Sequence, residues 1–323
     1  MGRAARCRQR VLEYARFRCN AFVEQMMSEP ARLSNIRGMQ ISRIAARVVM
    51  SFSTAPNDAR GTLLLLPKPP QRIVSLVPSQ TELLADLGLG ERVVGITRFC
   101  ERPARWHDAK PFIGGTKDVD VEKVRALKPD LVLANREENE RADVEAIDEF
   151  APTFVTDVRN VEEACSMIRT VGHLTHEMEA ADALADRIEH EMEALSVRTP
   201  MRAVYLIWRD PFMTVGGDTF IHDIMARGGF QNPFGRQDRY PEITLEDIIA
   251  ARPDLILCST EPFPFHQKDR FTKDLREALP DTPVCVVDGQ VFSWYGSRLL
   301  ATSAALRRLH SSLETRTPFH PGA

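Results

Sequence analysis

No apolar run in this chain approaches the roughly 20 residues that a membrane-spanning helix requires, so no helical bilayer crossing is expected. Six cysteines (Cys7, Cys19, Cys100, Cys165, Cys258 and Cys285) are scattered without CxxC spacing, which argues against a disulfide framework or a zinc site. Cys258 and Cys285 fall in apolar runs, where cysteine serves as a small apolar filler. A dinucleotide site needs G-x-G-x-x-G directly after a strand; Gly88-Leu-Gly90 follows a helical pattern and lacks the third glycine. No G-x-S-x-G nucleophile elbow occurs. The eight histidines do not gather in strand-end loops, as a receptor for a bare metal ion would require. The formal charge of −3 gives no argument for nucleic acid or an anionic membrane.

An apolar h-region before a small-residue cleavage site is also missing, so no signal peptide is legible. The first 49 residues carry ten arginines, no lysine and three acids. They read as a solvated extension or as an early-assigned start, with Met50 the true one; a transit peptide would share the composition. Segment 1–66 is therefore set apart as a leader.

The informative feature of the remainder is a repeat. Residues 121–135, VEKVRALKPDLVLAN, return 124 positions later as LEDIIAARPDLILCS, residues 245–259, with six of fifteen positions identical. Each copy has helical spacing, a proline that stops the helix, and an apolar run with strand propensity. Two such units at corresponding places predict two similar α/β lobes, with a functional site between them. At 323 residues, 43% apolar and 27% charged, the chain can bury two cores of ordinary domain size.

Strand and helix patterns alternate on both sides of a long helical stretch, which predicts parallel sheets. The N-terminal lobe is placed at 67–158, the connection at 159–199, the C-terminal lobe at 200–315 and a tail at 316–323. Ser79 or Thr81 is the natural N-cap of a helix over 82–87, Asp120 caps the first repeat helix, and Thr244 to Asp247 forms a capping box for the second. Residues 160–198 keep apolar positions at three- and four-residue steps and predict one long helix or two in tandem, acting as a rigid strut.

These landmarks resemble the substrate-binding proteins of vitamin B12 and iron-siderophore uptake, the helical-backbone metal receptors or class III periplasmic binding proteins. The resemblance rests on RIVSLVPSQTELLADLGLGERVVGIT (72–97), the Gly114-Gly115-Thr116 turn, VEKVRALKPDLVLANREEN and its second copy, and it covers about 67–313. It is nearest the cobalamin-binding branch. It implies two Rossmann-like lobes joined by a long rigid backbone helix, a shallow cleft, and a non-catalytic monomer. It also implies a cobalamin-like corrinoid as transported ligand, an ABC-type permease as partner, and a periplasmic or envelope location. Since no export signal is legible, a cytoplasmic location stays open.

In parallel sheets ligands sit at the carboxyl ends of strands, so the loops there supply candidates. Phe99, Trp208, Phe263, Trp294 and Tyr295 would grip a flat, largely apolar macrocycle, because aromatic faces bury much area at small entropic cost. Trp208 could equally be core. Ser79, Gln80 and Thr81 at a helix start offer polar contacts or simply cap the helix. Cys100, Asn135 and Glu261 stand at strand ends, and Arg136, Arg209 and Arg298 would suit an anionic siderophore if not paired to neighbouring acids. Relatives dock on a permease through one acid per lobe; the ungapped alignment puts Arg141 there, flanked by Glu140 and Asp143, and puts uncharged Ser293 on the second lobe. Alternatives are a ferric-siderophore or haem receptor on the same scaffold, and a two-lobed metallocofactor enzyme, which would need cysteines such as Cys100 in strand-end loops.

Overall fold

A computed structural model describes residues 58–195 and 200–315. The chain divides into a unit of Met1–Ala55 and a unit of Pro56–Ala323, and the second carries everything that follows. Residues 1–57 of the expected leader 1–66, and the tail 316–323, lie outside the described residues. Asp58 is already part of the N-terminal lobe: its carboxylate accepts from the amides of Arg60, Thr62 and Val155, and Ala59 N–H bonds Val155 C=O. The lobe therefore begins earlier than the expected residue 67.

The N-terminal lobe runs β1 (Ile73–Ser75), α1 (Pro78–Asp86), β2 (Val93–Ile96), α2 (Ala104–Ala109), α3 (Val121–Ala126), β3 (Leu131–Asn135), α4 (Arg141–Asp148) and β4 (Thr153–Thr156). Its parallel sheet has the order β2-β1-β3-β4. Helices α5 (Val161–Thr175) and α6 (Met178–Glu193) make the connection. The C-terminal lobe runs β5 (Met201–Leu206), β6 (Phe212–Met213), α7 (Phe220–Arg227), β7 (Phe230–Gln231), β8 (Glu242–Ile243), α8 (Leu245–Ala250), β9 (Leu255–Ser259), α9 (Arg270–Ala278), β10 (Val284–Val287), α10 (Gln290–Ser293) and α11 (Leu299–Thr315). Its parallel sheet is β10-β9-β5-β7, which read backwards matches the first sheet strand for strand; β6 and β8 form a small antiparallel ribbon.

The repeated sequence builds the same unit twice. Asp120 accepts from Lys123 N–H to open α3, and Thr244 with Asp247 forms the capping box that opens α8. Lys128 and Arg252 both turn the chain with positive φ, 46° and 47°, before the prolines. Every residue of β3 and β9 is buried. Helices cover both faces of these strands, and an uninterrupted apolar run is what such a position demands. On β5 the side chains alternate: Ala203 and Tyr205 join the large core that spans both lobes, whereas Val204 and Leu206 join a smaller outer cluster with Phe265 and Leu275.

Two sequence expectations need correction. Of the alternatives for 160–198, one long helix or two in tandem, the described residues show two, Val161–Thr175 and Met178–Glu193, and they fold back on each other in place of running on as a straight strut. His176 takes a left-handed φ of 63°, and Glu177 N–H returns to Gly172 C=O. Arg169 then reaches across to Asp186 and Glu189, at 2.6 and 2.7 Å. Helix α1 likewise starts at Pro78, not at Glu82, and neither Ser79 nor Thr81 caps it; Val77 is the extended N-cap residue. Proline at the first helical position needs no amide partner and forces its predecessor to be extended, which fixes the start four residues earlier.

Candidate functional site

Loops that follow the strands of the two sheets meet along a boundary between the lobes, and several side-chain contacts among the described residues cross it. Arg298, just before α11, holds Glu82 of α1 in a two-pronged ion pair with both side chains mostly buried. Tyr295 donates its hydroxyl to Glu138 at 3.0 Å. Arg239 lies 2.9 Å from a carboxylate oxygen of Glu137. Arg102 donates to the side-chain carbonyl of Gln290 at 2.8 Å. Gly296, with φ 153°, packs against the Ser79 carbonyl so closely that a Cβ would stand 3.2 Å from the oxygen.

The turn after β3 is built by two asparagines. Asn135 accepts from the amides of Glu137 and Glu138 and donates to the carbonyl and hydroxyl of Thr156. Asn139, buried, accepts from Asn135 N–H and donates to the carbonyls of Leu76 and Thr116. The turn is thereby fixed from below, and Glu137 and Glu138 are held against the opposite lobe. Loss of water pushes the Glu138 carboxyl up to about 7, against the Tyr295 hydrogen bond, with the charges of Glu137 and Glu261 adding to the rise. On the other lobe Glu261 occupies the repeat-equivalent place of Glu137. It accepts from Trp294 Nε1 at 2.9 Å and Ser293 Oγ at 3.2 Å, and burial raises its carboxyl despite both bonds. Burial also raises Glu82 against the pull of Arg298.

Gln80 contributes a buried acceptor. Its amide nitrogen donates to Thr156 Oγ1 at 2.6 Å, and that hydroxyl gives its one proton to Ala134 C=O. The bookkeeping fixes the amide's orientation and leaves Gln80 Oε1 with no protein partner. Ser297 Oγ, buried two residues beyond Tyr295, is likewise without one.

Several expected ligand contacts are placed elsewhere. Thr81 is wholly inside the N-terminal lobe, bonded to Val77 C=O and Ser75 Oγ, and Cys100 sits beside it, 3.0 Å from Thr81 Oγ1 and 3.1 Å from Thr97 Oγ1. Both belong to the lobe's core. Burial pushes the Cys100 thiol up, the opposite of what a thiolate ligand requires. Arg136 points outward to Asp157, and Arg209 is committed to Asp274 and the Phe271 carbonyl. Arg98, in the loop after β2, is paired with Asp118. Phe99 and Trp208 are exposed, at 50% and 39%, in loops of opposite lobes. Trp208 meets Phe263 edge-on, and Phe263 continues to Phe265 and Phe271. Glu140 is exposed and pairs with Lys117, while the Asp143 carboxylate accepts from Val119 N–H.

Glu138 and Asn139 were not among the site residues singled out from the sequence. The available signal was the register of the repeat, which places Glu137 opposite Glu261. A pocket of about 210 Å³ lies away from the boundary, between β4 and α5, lined by residues including Asp58, Asp157, Glu163 and Met167. Among the described residues no group of three or more histidines, cysteines and acids could hold a metal ion. No helix among them is long and apolar enough to cross a membrane.

Comparison with known proteins places this arrangement. The sequence profile described as periplasmic binding protein matches residues 73–286. An ABC transporter substrate-binding lipoprotein of Bacillus subtilis is 29% identical over 64% of this chain and 69% of its own length. A vitamin B12-binding protein of Pectobacterium carotovorum is 25% identical over 77% of this chain and 90% of its own. Among solved structures, the periplasmic vitamin B12 binding protein of Vibrio cholerae superposes with a TM-score of 0.65 at 20% identity, covering 77% of this chain and 98% of that one. A periplasmic heme-binding protein from Roseiflexus superposes with a TM-score of 0.67 at 23% identity, covering 76% and 98%. At those identities the likeness is one of fold.

Proposed function

The chain belongs to the periplasmic binding protein family, a substrate-binding component of ABC import and not an enzyme; on that premise we propose that it captures a corrinoid between its two lobes. The observation that carries the choice of ligand is the charge pairing of the strand-end arginines. Arg98, Arg136, Arg209 and Arg298 are each matched by a protein carboxylate. Haem propionates or an anionic siderophore would have to take one of those arginines from its partner. The groups left without partners or turned toward the boundary are mainly acceptors, Gln80 Oε1, Glu138 and Glu261, with the Ser79 and Ser297 hydroxyls able to donate as well. Acceptors suit the primary amides around a corrin ring. Phe99 and Trp208, exposed on opposite lobes, offer aromatic faces for its apolar surface. Vitamin B12-binding relatives support the same choice.

Entry of so large a ligand requires Tyr295 and Glu138, and the ion pair of Arg298, to part. The lobes share a continuous core and are linked by the α5–α6 hairpin, so a small rocking is expected in place of wide closure. An ABC permease in the cell envelope is the proposed partner, contacted on the N-terminal lobe through exposed Glu140; Asp143 is engaged with its own lobe. Calorimetric titration with cyanocobalamin, cobinamide, haem and a ferric chelate tests the reading. Corrinoid binding with little response to haem or ferric chelate is expected. Binding of haem or the ferric chelate, with no corrinoid bound below about 100 μM, overturns it.

A further inference from the structure

The groups facing Glu138 come from every side. Glu137 shares its turn and is paired with Arg239 of the other lobe. Lys117 donates to the Glu137 carbonyl, and its charge reaches Glu138. Glu261 and Tyr295 face it from the C-terminal lobe, Tyr240 feels its charge from the same side, and Cys100 feels it from within its own lobe. The cation whose charge reaches Glu138, Lys117, is already engaged with the Glu137 carbonyl and with Glu140. Gln80 Oε1, buried and unpartnered, belongs to the network that holds this turn, through Thr156 and Asn135.

We propose that Glu138, with Tyr295 as its partner across the lobes, is the specificity-determining residue of the boundary, admitting uncharged or cationic ligands rich in N–H groups and rejecting anionic ones. This rests on the reading of the boundary as the ligand site and adds to it a named residue and a rule of charge. When the lobes part, Glu138 loses the Tyr295 hydroxyl and offers its carboxyl to whatever enters. An anionic group arriving there meets three carboxyls, Glu137, Glu138 and Glu261, and five of the six strand-end and cross-lobe arginines described above are paired with a carboxylate, Arg102 being held instead by the side-chain carbonyl of Gln290. A neutral amide meets acceptors in these carboxyls and in Gln80 Oε1, and hydroxyls at Ser79 and Ser297 that can also donate. The carboxyl's rise to about 7 fits the same role, because a ligand that covers it removes still more water and favours its neutral form. Binding then takes up a proton, so affinity for a neutral ligand falls as pH rises above 7.

The test uses cobinamide and haemin as probes on the full chain, from pH 6 to pH 9, with wild type, Glu138→Gln and Tyr295→Phe. Wild type is expected to prefer cobinamide and to lose on the order of 10-fold in cobinamide affinity per pH unit above the titration of Glu138. Glu138→Gln keeps the shape, flattens that pH dependence, and narrows the preference over haemin by about 10-fold. Tyr295→Phe retains the preference, since the carboxyl remains. An unchanged pH profile and ratio in Glu138→Gln overturns the role of Glu138 while leaving the ligand site intact. Failure of both probes to bind any of the three proteins instead sinks the site reading and this proposal with it. A second readout needs no ligand: the ¹³C resonances of glutamate carboxyls should contain one that titrates near pH 7 in wild type and is lost in Glu138→Gln. If every carboxyl of the ligand-free protein titrates below about pH 5, the proposal is wrong.

Discussion

Arg298 grips the carboxylate of Glu82 with two guanidinium nitrogens, so the start of the last helix of one lobe is tied to the first helix of the other. Both side chains are about 15% exposed, which makes the pair costly to break and not necessarily costly to replace. Arg298→Ala leaves a mostly buried carboxylate without its cation and is expected to destabilise the protein by about 3–5 kcal/mol. The double change Arg298→Met with Glu82→Leu should recover most of that loss. Urea denaturation of the three proteins at one pH measures it. Equal stability of Arg298→Ala and wild type would show that the pair contributes nothing to holding the lobes.

Three carboxyls on this boundary, Glu82, Glu138 and Glu261, are raised by burial. A carboxyl with a raised folded-state pKa binds its proton more tightly when folded, so it supports the fold at low pH and loses that support as pH climbs through the folded value. For Glu138 the window runs from the usual 4.5 to about 7. Unfolding free energy should therefore drop between pH 5 and pH 8, by roughly 2–3 kcal/mol from Glu138 alone. Glu138→Gln removes that part of the slope and is the more stable protein at pH 8. Stability that rises across the window in wild type, relative to the variant, would contradict the burial of this carboxyl.

The two repeat acids do the same work with unequal partners. Asp130 accepts from the amides of both Gln71 and Arg72, whereas Asp254 accepts from Arg202 alone. In each lobe the arginine so held returns its side chain to the carbonyl of the residue that caps the end of the repeat helix, Leu127 or Ala251. Asp130→Ala should cost about 1–2 kcal/mol and Asp254→Ala about 0.5–1 kcal/mol, since the first loses one more hydrogen bond to a carboxylate and water can reach the freed amides. Thermal denaturation of the pair gives the order directly.

Phe99 and Trp208 separate binding from folding. Both are exposed in the ligand-free protein, so Phe99→Ala and Trp208→Ala should change the melting temperature by only a degree or two. Each should weaken cobinamide binding by about 10-fold, the scale of one aromatic face lost. Phe265→Ala is the control: fully buried in the outer cluster, it should cost about 3–5 kcal/mol of stability. Unaltered cobinamide affinity in both exposed variants would remove these loops from the ligand site.

Much of the fold was legible because the repeat carries its own punctuation. Asp120, Thr244 and the two prolines mark helix starts and stops chemically, and α7 falls where its flanking Thr219 and Gly228 put it. The boundary was harder to read because its contacts join residues far apart in sequence, such as Glu138 with Tyr295 and Glu82 with Arg298. An acid in a run of acids reads as solvent-exposed unless its cross-lobe partner is known. Gln80 and Thr81 could be placed at the right helix, but which of the two faces its own lobe's core depends on the start at Pro78. The fold-back between α5 and α6 was hidden for a different reason. Apolar spacing continues straight through it, and the reversal rests on one left-handed histidine, a conformation that no composition rule assigns to that residue.

That fold-back makes an opposite prediction from a continuous strut at Gly172. Within an exposed stretch of a single helix, Gly172→Ala would raise stability, since alanine is about 1 kcal/mol more favourable there than glycine. In the hairpin, the new methyl would stand 2.2 Å from the Ala181 Cβ and 3.1 Å from the Glu177 carbonyl oxygen. Such contacts force α6 off α5, and with it the bonds from Arg169 to Asp186 and Glu189. Gly172→Ala should therefore destabilise the protein by about 1–3 kcal/mol, the cost of overpacking a closed contact. Adding Ala181→Gly opens the space again and should restore part of the loss, although that glycine lowers the helix propensity of α6. Because α6 also carries Glu191, which holds Arg307 and Ser303 of α11, the loosened hairpin should speed hydrogen exchange in α11 as well. A Gly172→Ala protein more stable than wild type would mean that the connection is a single extended helix.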